Sequence, residues 1–283
     1  MIHTARQLKD LVRNRSKGDS RTAQTLLRIY CMERFLERVS VSRYKDNFIL
    51  KGGMLVSSLV GIERRATMDI DTTIKSQNLS IDDARRIVNE IISIPLDDEI
   101  RFEILDAQEI MEVADYTGVR LSLRAKLDTM KIPVKIDIST GDVITPAEVL
   151  YSYKLMFEER EIELLSYNLI TILAEKIETV ISRGTANTRL RDFYDIYILT
   201  ELYADRVDRA MLAVAIKSTS TKRGSQEVVK DSVTIIDELR LDPGMRSQWV
   251  NYQKKNDYSE GITWDEVINR LNEIMDSLNG YDD

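Results

Sequence analysis

Hydrophobic periodicity changes twice along this chain of 283 residues, and the changes limit the folds that it can adopt. Residues 4–40 carry apolar side chains at helical spacing, and helical spacing returns from 168 to 278. Between them, segments within 101–139 alternate apolar and polar residues, as half-buried strands do. Strands and helices do not alternate regularly, so a doubly wound sheet is not expected. The sequence predicts an α+β chain, with a mixed sheet and N-terminal helices in residues 1–165 and an all-helical lobe in 166–283.

The counts of two residue types argue against several kinds of chemistry. His3 is the only histidine, which disfavours Ser-His-Asp and Cys-His catalysis and histidine-ligated zinc. Cys31 is the only cysteine, and it lies in the apolar pattern of a predicted helix, so we interpret it as a core residue. An enzyme built from this chain would use carboxylates, lysine, arginine, hydroxyls, backbone amides and a hard metal ion.

Composition also bears on where the protein works. No apolar run approaches the ~20 residues of a membrane helix, and residues 1–15 lack the apolar stretch of a secretory signal. A cytoplasmic protein without membrane contact is therefore expected, in keeping with the single cysteine. The 40 basic and 47 acidic residues give a net charge of −7. This charge argues against indiscriminate, sequence-blind binding of nucleic acid.

Two aspartates form the first candidate site. Asp69 and Asp71 are two apart in a predicted strand over residues 67–74, so both side chains should lie on one face. Adjacent carboxylates repel each other unless a cation lies between them, and a hard divalent ion such as Mg²⁺ suits such a pair. Asp137, in a predicted strand over 131–139, would add a third carboxylate if the two strands are neighbours. The alternative is a solvated strand face without a metal.

A glycine pair precedes these aspartates. Residues 47–51 form a short apolar strand that runs into Gly52 and Gly53, and an apolar helix is predicted to follow. Glycines let the backbone approach a ligand closely, and the first amides of a helix can hold phosphate oxygens. A phosphate-binding loop beside a metal-binding carboxylate pair is the arrangement that phosphoryl and nucleotidyl transfer require.

A lysine and an aspartate in the helical half lie at the edges of apolar faces. Lys176 falls within an amphipathic pattern that includes Leu173 and Val180, and Asp192 precedes Ile196 by one helical turn. The two side chains could pair with each other or serve a site, where the lysine would stabilise charge on a phosphoryl group. The alternative is a lysine whose stem packs on the core while its amine reaches solvent.

Three motifs, taken in order, resemble one known family. They are Leu50-Lys-Gly-Gly-Met-Leu55, Arg65-Ala-Thr-Met-Asp-Ile-Asp71, and the distal Glu175-Lys176 with Arg191-Asp-Phe-Tyr-Asp195. Spread over residues 47–200, they are similar to the nucleotidyltransferase fold, and most similar to the AbiEii/AbiGii toxin family with the related MenT toxins. Any one motif would be a weak signal, whereas three in this order are specific.

The resemblance implies a role for each matching residue. Asp69 and Asp71 would hold Mg²⁺ and the nucleoside triphosphate, with Asp137 as a further metal ligand. Phosphate or metal binding would also involve residues of the first two motifs, namely Lys51, Gly52, Gly53 and Thr67. Lys176 would offset the charge of the leaving pyrophosphate, and Asp192 would orient this lysine or act as a general base.

The resemblance also implies an activity and partners. The chain would be the toxin of a toxin–antitoxin or phage abortive-infection pair, with a cognate antitoxin. It would transfer a nucleoside monophosphate from a nucleoside triphosphate, CTP or GTP being favoured, to an RNA acceptor, the tRNA 3′ end. Two alternatives stay open, namely transfer to a hydroxyl of a protein, and a regulatory module that binds metal–GTP without turnover.

Two further features leave alternatives open. The wider superfamily has a serine directly after the glycines, and its hydroxyl contacts the γ-phosphate. Met54 follows the glycines here, so this hydroxyl is absent unless Ser57 or Ser58, one helical turn further on, takes its place. A nine-residue stretch without acidic residues contains the basic residues Arg183, Arg189 and Arg191. This stretch is either an ordinary solvated face or a contact with the phosphates of RNA.

Overall fold

The computed structural model describes residues 2–75, 79–111 and 117–278, and the chain forms two compact units. The first unit contains Met1–Ile62, Ala66–Asp142 and Val149–Ser166. The second contains Glu63–Arg65, Val143–Glu148 and Tyr167–Asp283. Each unit is therefore assembled from segments that are separated in the sequence.

The helices of the first unit begin at residues that the sequence marks well. They are α1 (Ala5–Ser16), α2 (Ser20–Ser40), α3 (Gly52–Val60) and α4 (Ile81–Ile92). Side-chain oxygens of Thr4, Asp19 and Ser80 accept a backbone N–H in the first turn of α1, α2 and α4. Helix α3 differs, because the side chain of the preceding residue, Lys51, does not cap it.

Among the described residues of the first unit, seven strands form one mixed sheet. They are β1 (Phe48–Lys51), β2 (Ile70–Ile74), β3 (Arg101–Met111), β4 (Thr117–Leu127), β5 (Met130–Thr140), β6 (Val149–Lys154) and β7 (Glu161–Ser166). Their order across the sheet is β3-β4-β5-β2-β1-β7-β6. The β2–β5 and β1–β7 pairs are parallel, and the other neighbouring pairs are antiparallel. The predicted mixed sheet is confirmed.

Alternation along the strands separates a buried face of this sheet from a polar one. In β4, Val119, Leu121 and Leu123 are buried, whereas the residues between them are half-buried. Helix α2 packs against β5 and β7, and α4 packs against β3. Helix α3 packs against β1 and β2, so its first turn lies beside the ends of these two strands.

The second unit is helical. Its helices are α5 (Leu169–Arg183), α6 (Leu190–Leu202), α7 (Arg209–Arg223), α8 (Gln226–Lys230), α9 (Ser232–Leu241), α10 (Pro243–Gln253) and α11 (Trp264–Asp276). Helix α5 packs against α6 and α7, and α11 packs against α6 and α9. Aromatic rings fill part of the core, with ring centroids 5.0 Å apart for Phe193 and Trp264 and 4.9 Å apart for Tyr194 and Tyr258. The predicted helical lobe is thus confirmed.

Two short helices follow α7, because α8 ends at Lys230 and α9 begins at Ser232. In the next helix, α10, Asp242 caps the first turn and Pro243 occupies the first helical position. Among the described residues, no helix has both the length and the apolar character needed to cross a membrane.

Candidate active site

A row of four charged side chains crosses the sheet of the first unit. Lys51, the last residue of β1, is opposite Asp71 in β2. Asp71 is opposite Asp137 in β5, and Asp137 is opposite Arg120 in β4. Residues directly opposite each other on paired strands point to the same face of a sheet. Two carboxylates therefore lie side by side between a lysine and an arginine. Because β2 and β5 are neighbours, the condition under which the sequence predicted a third carboxylate beside the pair is met.

Asp69 lies just outside β2, because the strand begins at Ile70 and not at residue 67 as predicted. Thr67 is fully buried, and its hydroxyl donates to Asp69, with Oγ1 3.3 Å from Oδ1 and 3.4 Å from the backbone oxygen. Asp69 and Asp71 are both half-buried. Thr67 therefore orients the first aspartate of the pair.

The glycine pair contacts the second aspartate. The backbone N–H of Gly53 donates to Asp71 Oδ2 over 3.0 Å, so Asp71 binds an amide in the first turn of α3. Gly52 has a φ of +62°, and a Cβ atom built on it would lie 2.1 Å from the same Oδ2. A side chain at position 52 and the carboxylate of Asp71 cannot both occupy this space, which explains the need for glycine.

The environment of Asp71 disfavours its charge. Burial and the neighbouring charge of Asp69 raise the pKa of Asp71 to about 6, and Asp137 acts in the same direction. The N–H of Gly53 and the charge of Lys51 oppose the rise only in part. A cation placed between Asp69 and Asp71 would relieve this repulsion, as the sequence argument for a metal assumed.

The two ends of the charged row are held by further polar contacts. Lys51 is nearly buried, and its Nζ lies 2.8 Å from Asp142 Oδ2. The hydroxyl of Ser139 donates to the same oxygen over 2.8 Å. At the other end, Nε and Nη2 of Arg120 donate to Oδ1 and Oδ2 of Asp137 over 2.8 Å and 2.6 Å. Each end of the row is therefore held by an ion pair, and the sequence prediction missed two of the partners, Asp142 and Arg120.

The oxygen atoms of Asp69 and Asp71 suit a divalent metal ion. Mg²⁺ in nucleotide enzymes is commonly bound by one or two carboxylates, with substrate phosphates and waters as the other ligands. Within residues 2–75, 79–111 and 117–278, no three histidine, cysteine, aspartate or glutamate side chains are grouped so that they could hold a metal together. The donor set thus fits a metal that two carboxylates hold and a nucleotide completes, and the role of Asp137 as a ligand stays a prediction.

The second unit contains its own charged network. Lys176 Nζ lies 2.7 Å from Asp192 Oδ1 and 2.7 Å from Asp195 Oδ2. Burial alone would lower the pKa of Lys176, but Asp192 and Asp195 outweigh it and raise the pKa above its usual value. Arg65 also binds Asp195, through Nε at 2.8 Å and Nη2 at 3.1 Å. Lys176 is therefore a protonated cation held between two carboxylates.

The structure distributes the predicted site residues between the two units. The first unit contains those of the first two motifs and the third carboxylate, namely Lys51, Gly52, Gly53, Thr67, Asp69, Asp71 and Asp137. The second unit contains Lys176 and Asp192, which form an ion pair. Ser57 is buried, and Ser58 donates to the Leu55 carbonyl and contacts the hydroxyl of Tyr151.

Sequence and structure comparisons relate the chain to known proteins. A family model described as "Nucleotidyl transferase AbiEii toxin, Type IV TA system" matches residues 34–270. No curated protein matches the chain in sequence. JHP933 from Helicobacter pylori has a similar structure, with a TM-score of 0.50 and 15% identity over 91% of this chain and 94% of its own. An antigenic nucleotidyltransferase-like protein from Paracoccidioides brasiliensis matches with a TM-score of 0.38 and 14% identity, over 82% and 94%. At such identity the likeness to JHP933 concerns the fold.

Proposed function

The chain belongs to the AbiEii family of nucleotidyltransferase toxins of type IV toxin–antitoxin systems, and on this premise we propose that it modifies tRNA. In this proposal it transfers a nucleoside monophosphate from CTP or GTP to the tRNA 3′ end, with Mg²⁺, in the cytoplasm. Family membership supports a nucleoside triphosphate substrate, a divalent metal and an antitoxin partner. Extra nucleotides on the 3′ end would block aminoacylation, which would stop translation and growth.

The observation that carries the proposal is the carboxylate pair at the first turn of α3. Asp71 contacts Gly52 and Gly53 there, so the metal-binding oxygens lie beside the amides of a helix N-terminus. Such a terminus favours phosphate oxygens, and the carboxylates favour the cation that accompanies a triphosphate. The first turn of α3 and the adjacent carboxylates thus favour both the negative phosphates and the positive metal ion of a metal–nucleotide complex.

Four site residues of the first unit are assigned roles in the transfer. Asp69 and Asp71 would hold the metal, Thr67 keeps Asp69 in position, and Lys51 places a positive charge beside them. When bound there, a divalent metal would draw charge from the phosphates and make the α-phosphorus a better electrophile. The acceptor hydroxyl then loses its proton to water and forms a bond to the α-phosphorus, in line with the bond to pyrophosphate that breaks.

We assign Lys176 and Asp192 to the same reaction on the family resemblance. Support for this assignment comes from the charge of Lys176, because Asp192 and Asp195 keep it protonated. A protonated lysine can offset the charge of departing pyrophosphate but cannot accept a proton. Asp192 then orients the lysine, since its Oδ1 is 2.7 Å from Nζ.

An RNA acceptor is supported by the basic stretch that runs from the end of α5 to the start of α6. Arg189 is exposed, and Arg183 and Arg191 are half-buried, so all three reach the surface of their unit. Arginine side chains at such a surface suit the phosphates of a nucleic acid backbone. Arg223 is not comparable, because it is ion-paired with Glu175 and Glu178.

The test is transfer of α-labelled nucleoside triphosphates, one base at a time, to purified tRNA with Mg²⁺ or with EDTA. Wild type should label the tRNA 3′ end only with Mg²⁺, and Asp69→Ala should abolish the label. Asp106→Ala removes an exposed carboxylate from β3 of the same sheet and serves as the matched control, which should retain activity.

Other outcomes separate the remaining functions. Label in total protein, but not in RNA, would replace the tRNA acceptor by a protein hydroxyl. Binding of metal–GTP without label in either fraction would indicate a module without turnover. Transfer that survives in Asp69→Ala would contradict the proposed site itself.

A further inference from the structure

Arg120 is a charged residue beside the carboxylates that the proposed mechanism does not use. It lies in β4 opposite Asp137, and its guanidinium donates to both carboxylate oxygens, over 2.8 Å and 2.6 Å. The side chain of Asp137 is 7% exposed and that of Arg120 is 36% exposed. A guanidinium that makes two parallel hydrogen bonds is among the strongest partners that a carboxylate can have.

Asp137 is at the same time the direct neighbour of the proposed metal ligand Asp71. The two are opposite each other in the parallel β2–β5 pair. Yet no metal-binding group of three carboxylates exists among the described residues. Asp137 thus lies where a third ligand would be expected, while both of its oxygens bind an internal cation.

We propose that Arg120 is a positioning residue that keeps Asp137 out of metal coordination, so that a divalent metal must compete with the guanidinium for this carboxylate. The inference rests on the proposed function, because it concerns the same Asp69–Asp71 site. In the nucleotide-free protein, the metal is held by these two aspartates alone. Breaking the Arg120–Asp137 pair releases further oxygen ligands and strengthens metal binding.

The experiment measures Mn²⁺ binding to the full chain without nucleotide, from the electron paramagnetic resonance signal of free Mn²⁺. We expect Arg120→Gln to tighten binding about tenfold, since a charge-assisted bidentate pair no longer competes. In an Asp137→Asn background, the same substitution should change affinity by no more than about twofold. Arg120→Lys keeps the charge but loses the bidentate geometry, and should fall between wild type and Arg120→Gln.

Arg124→Gln is the matched control for the loss of positive charge. Arg124 lies on the same face of β4, four residues and about 13 Å along the strand from Arg120. Its side chain is 38% exposed, and it pairs with Glu103 and not with the candidate site. This variant should bind Mn²⁺ as wild type does, and thermal unfolding of every variant confirms that it is folded.

Three results would overturn the inference. Unchanged or weaker Mn²⁺ binding by Arg120→Gln would mean that the guanidinium does not compete with the metal. Equal tightening in the Asp137→Asn background, or by Arg124→Gln, would mean that Mn²⁺ binds more tightly because a positive charge is lost, and not because Asp137 is released. Failure of the proposed function is detected separately, as absence of metal-dependent label transfer by wild type, whatever the order of Mn²⁺ affinities.

Discussion

Gly52 is the position at which the candidate site tolerates least change. A Cβ atom there would lie 2.1 Å from Asp71 Oδ2 and 2.6 Å from Asp71 Cβ, so the carboxylate would have to move. We expect Gly52→Ala to lower nucleotide transfer about 100-fold or more, because metal ligands displaced by about 1 Å lose productive geometry. Label transfer and Mn²⁺ binding should fall together.

Gly224→Ala is the control for the backbone cost of this substitution. Gly224 has a φ of +67°, close to the +62° of Gly52, but a Cβ atom there would meet open space, with nothing within 4 Å. Both variants should therefore lose about 1–2 kcal/mol of stability to backbone strain, and only Gly52→Ala should lose transfer. Equal transfer by the two variants would contradict the role of the Gly52–Asp71 contact.

Residue spacing reveals some parts of the site and conceals others. The spacing of two in a predicted strand indicated that Asp69 and Asp71 are neighbours, and the charge of Asp69 does act on Asp71, although Asp69 itself lies just outside β2. Arg65 and Asp195 are 130 residues apart, and no periodicity links them. A buried ion pair between distant segments follows from tertiary packing. The sequence therefore identified Arg65 and Asp195 as motif residues but did not predict that they contact each other.

Among the elements, the β4–β5 hairpin held a signal that the sequence analysis did not use. Leu127 pairs with Met130 across a two-residue turn, and this register places Arg120 opposite Asp137. Two alternating strands so close in sequence predict such a hairpin, and counting back along both strands would have found the pair. The parallel β2–β5 neighbourhood is different, because 55 residues or more separate the strands and several sheet orders fit the same strand pattern.

Helix α2 and the connection between β6 and β7 meet at a buried carboxylate. Glu33 is 1% exposed, and both of its oxygens accept the N–H of Met156, over 3.0 Å and 3.2 Å. Burial raises the pKa of Glu33 to about 8, although Arg34 and the Met156 amide oppose the rise. The folded protein therefore keeps a proton that the unfolded chain loses above its ordinary glutamate pKa near 4.5.

This linkage predicts a stability that falls as pH rises from about 4.5 to about 8. Glu33→Gln cannot ionise, so its thermal midpoint should drop less than that of wild type between about pH 5.5 and about pH 8. Glu159→Gln, at an exposed position of the same connection, should follow wild type at both pH values. An equal drop in wild type and Glu33→Gln would show that Glu33 is already ionised in the folded protein.

At the scale of the whole molecule, the second unit depends on contacts that join separate segments of the chain. Glu63–Arg65 belongs to it through the Arg65–Asp195 pair, and the Tyr194 hydroxyl donates to the Arg64 carbonyl over 2.8 Å. Val143–Glu148 belongs to it through Asn168, whose side-chain amide donates to two carbonyls of that segment. Sequence periodicity delimits helices well, but it does not reveal such short insertions from elsewhere in the chain.

Asp195 should therefore be a determinant of stability for the second unit. Its carboxylate is fully buried, and Arg65 and Lys176 lower its pKa to about 2 against the effect of burial. Asp195→Asn leaves two cations in the interior without their shared partner, which typically costs about 3–5 kcal/mol. Denaturant unfolding should show this loss.

Asp265→Asn removes one side of the exposed pair with Arg246 and should unfold as wild type does. If Asp195→Asn were as stable as this control, the buried network would not hold the Glu63–Arg65 segment. The presence of Asp195 in the distal family motif would then not be explained by stability.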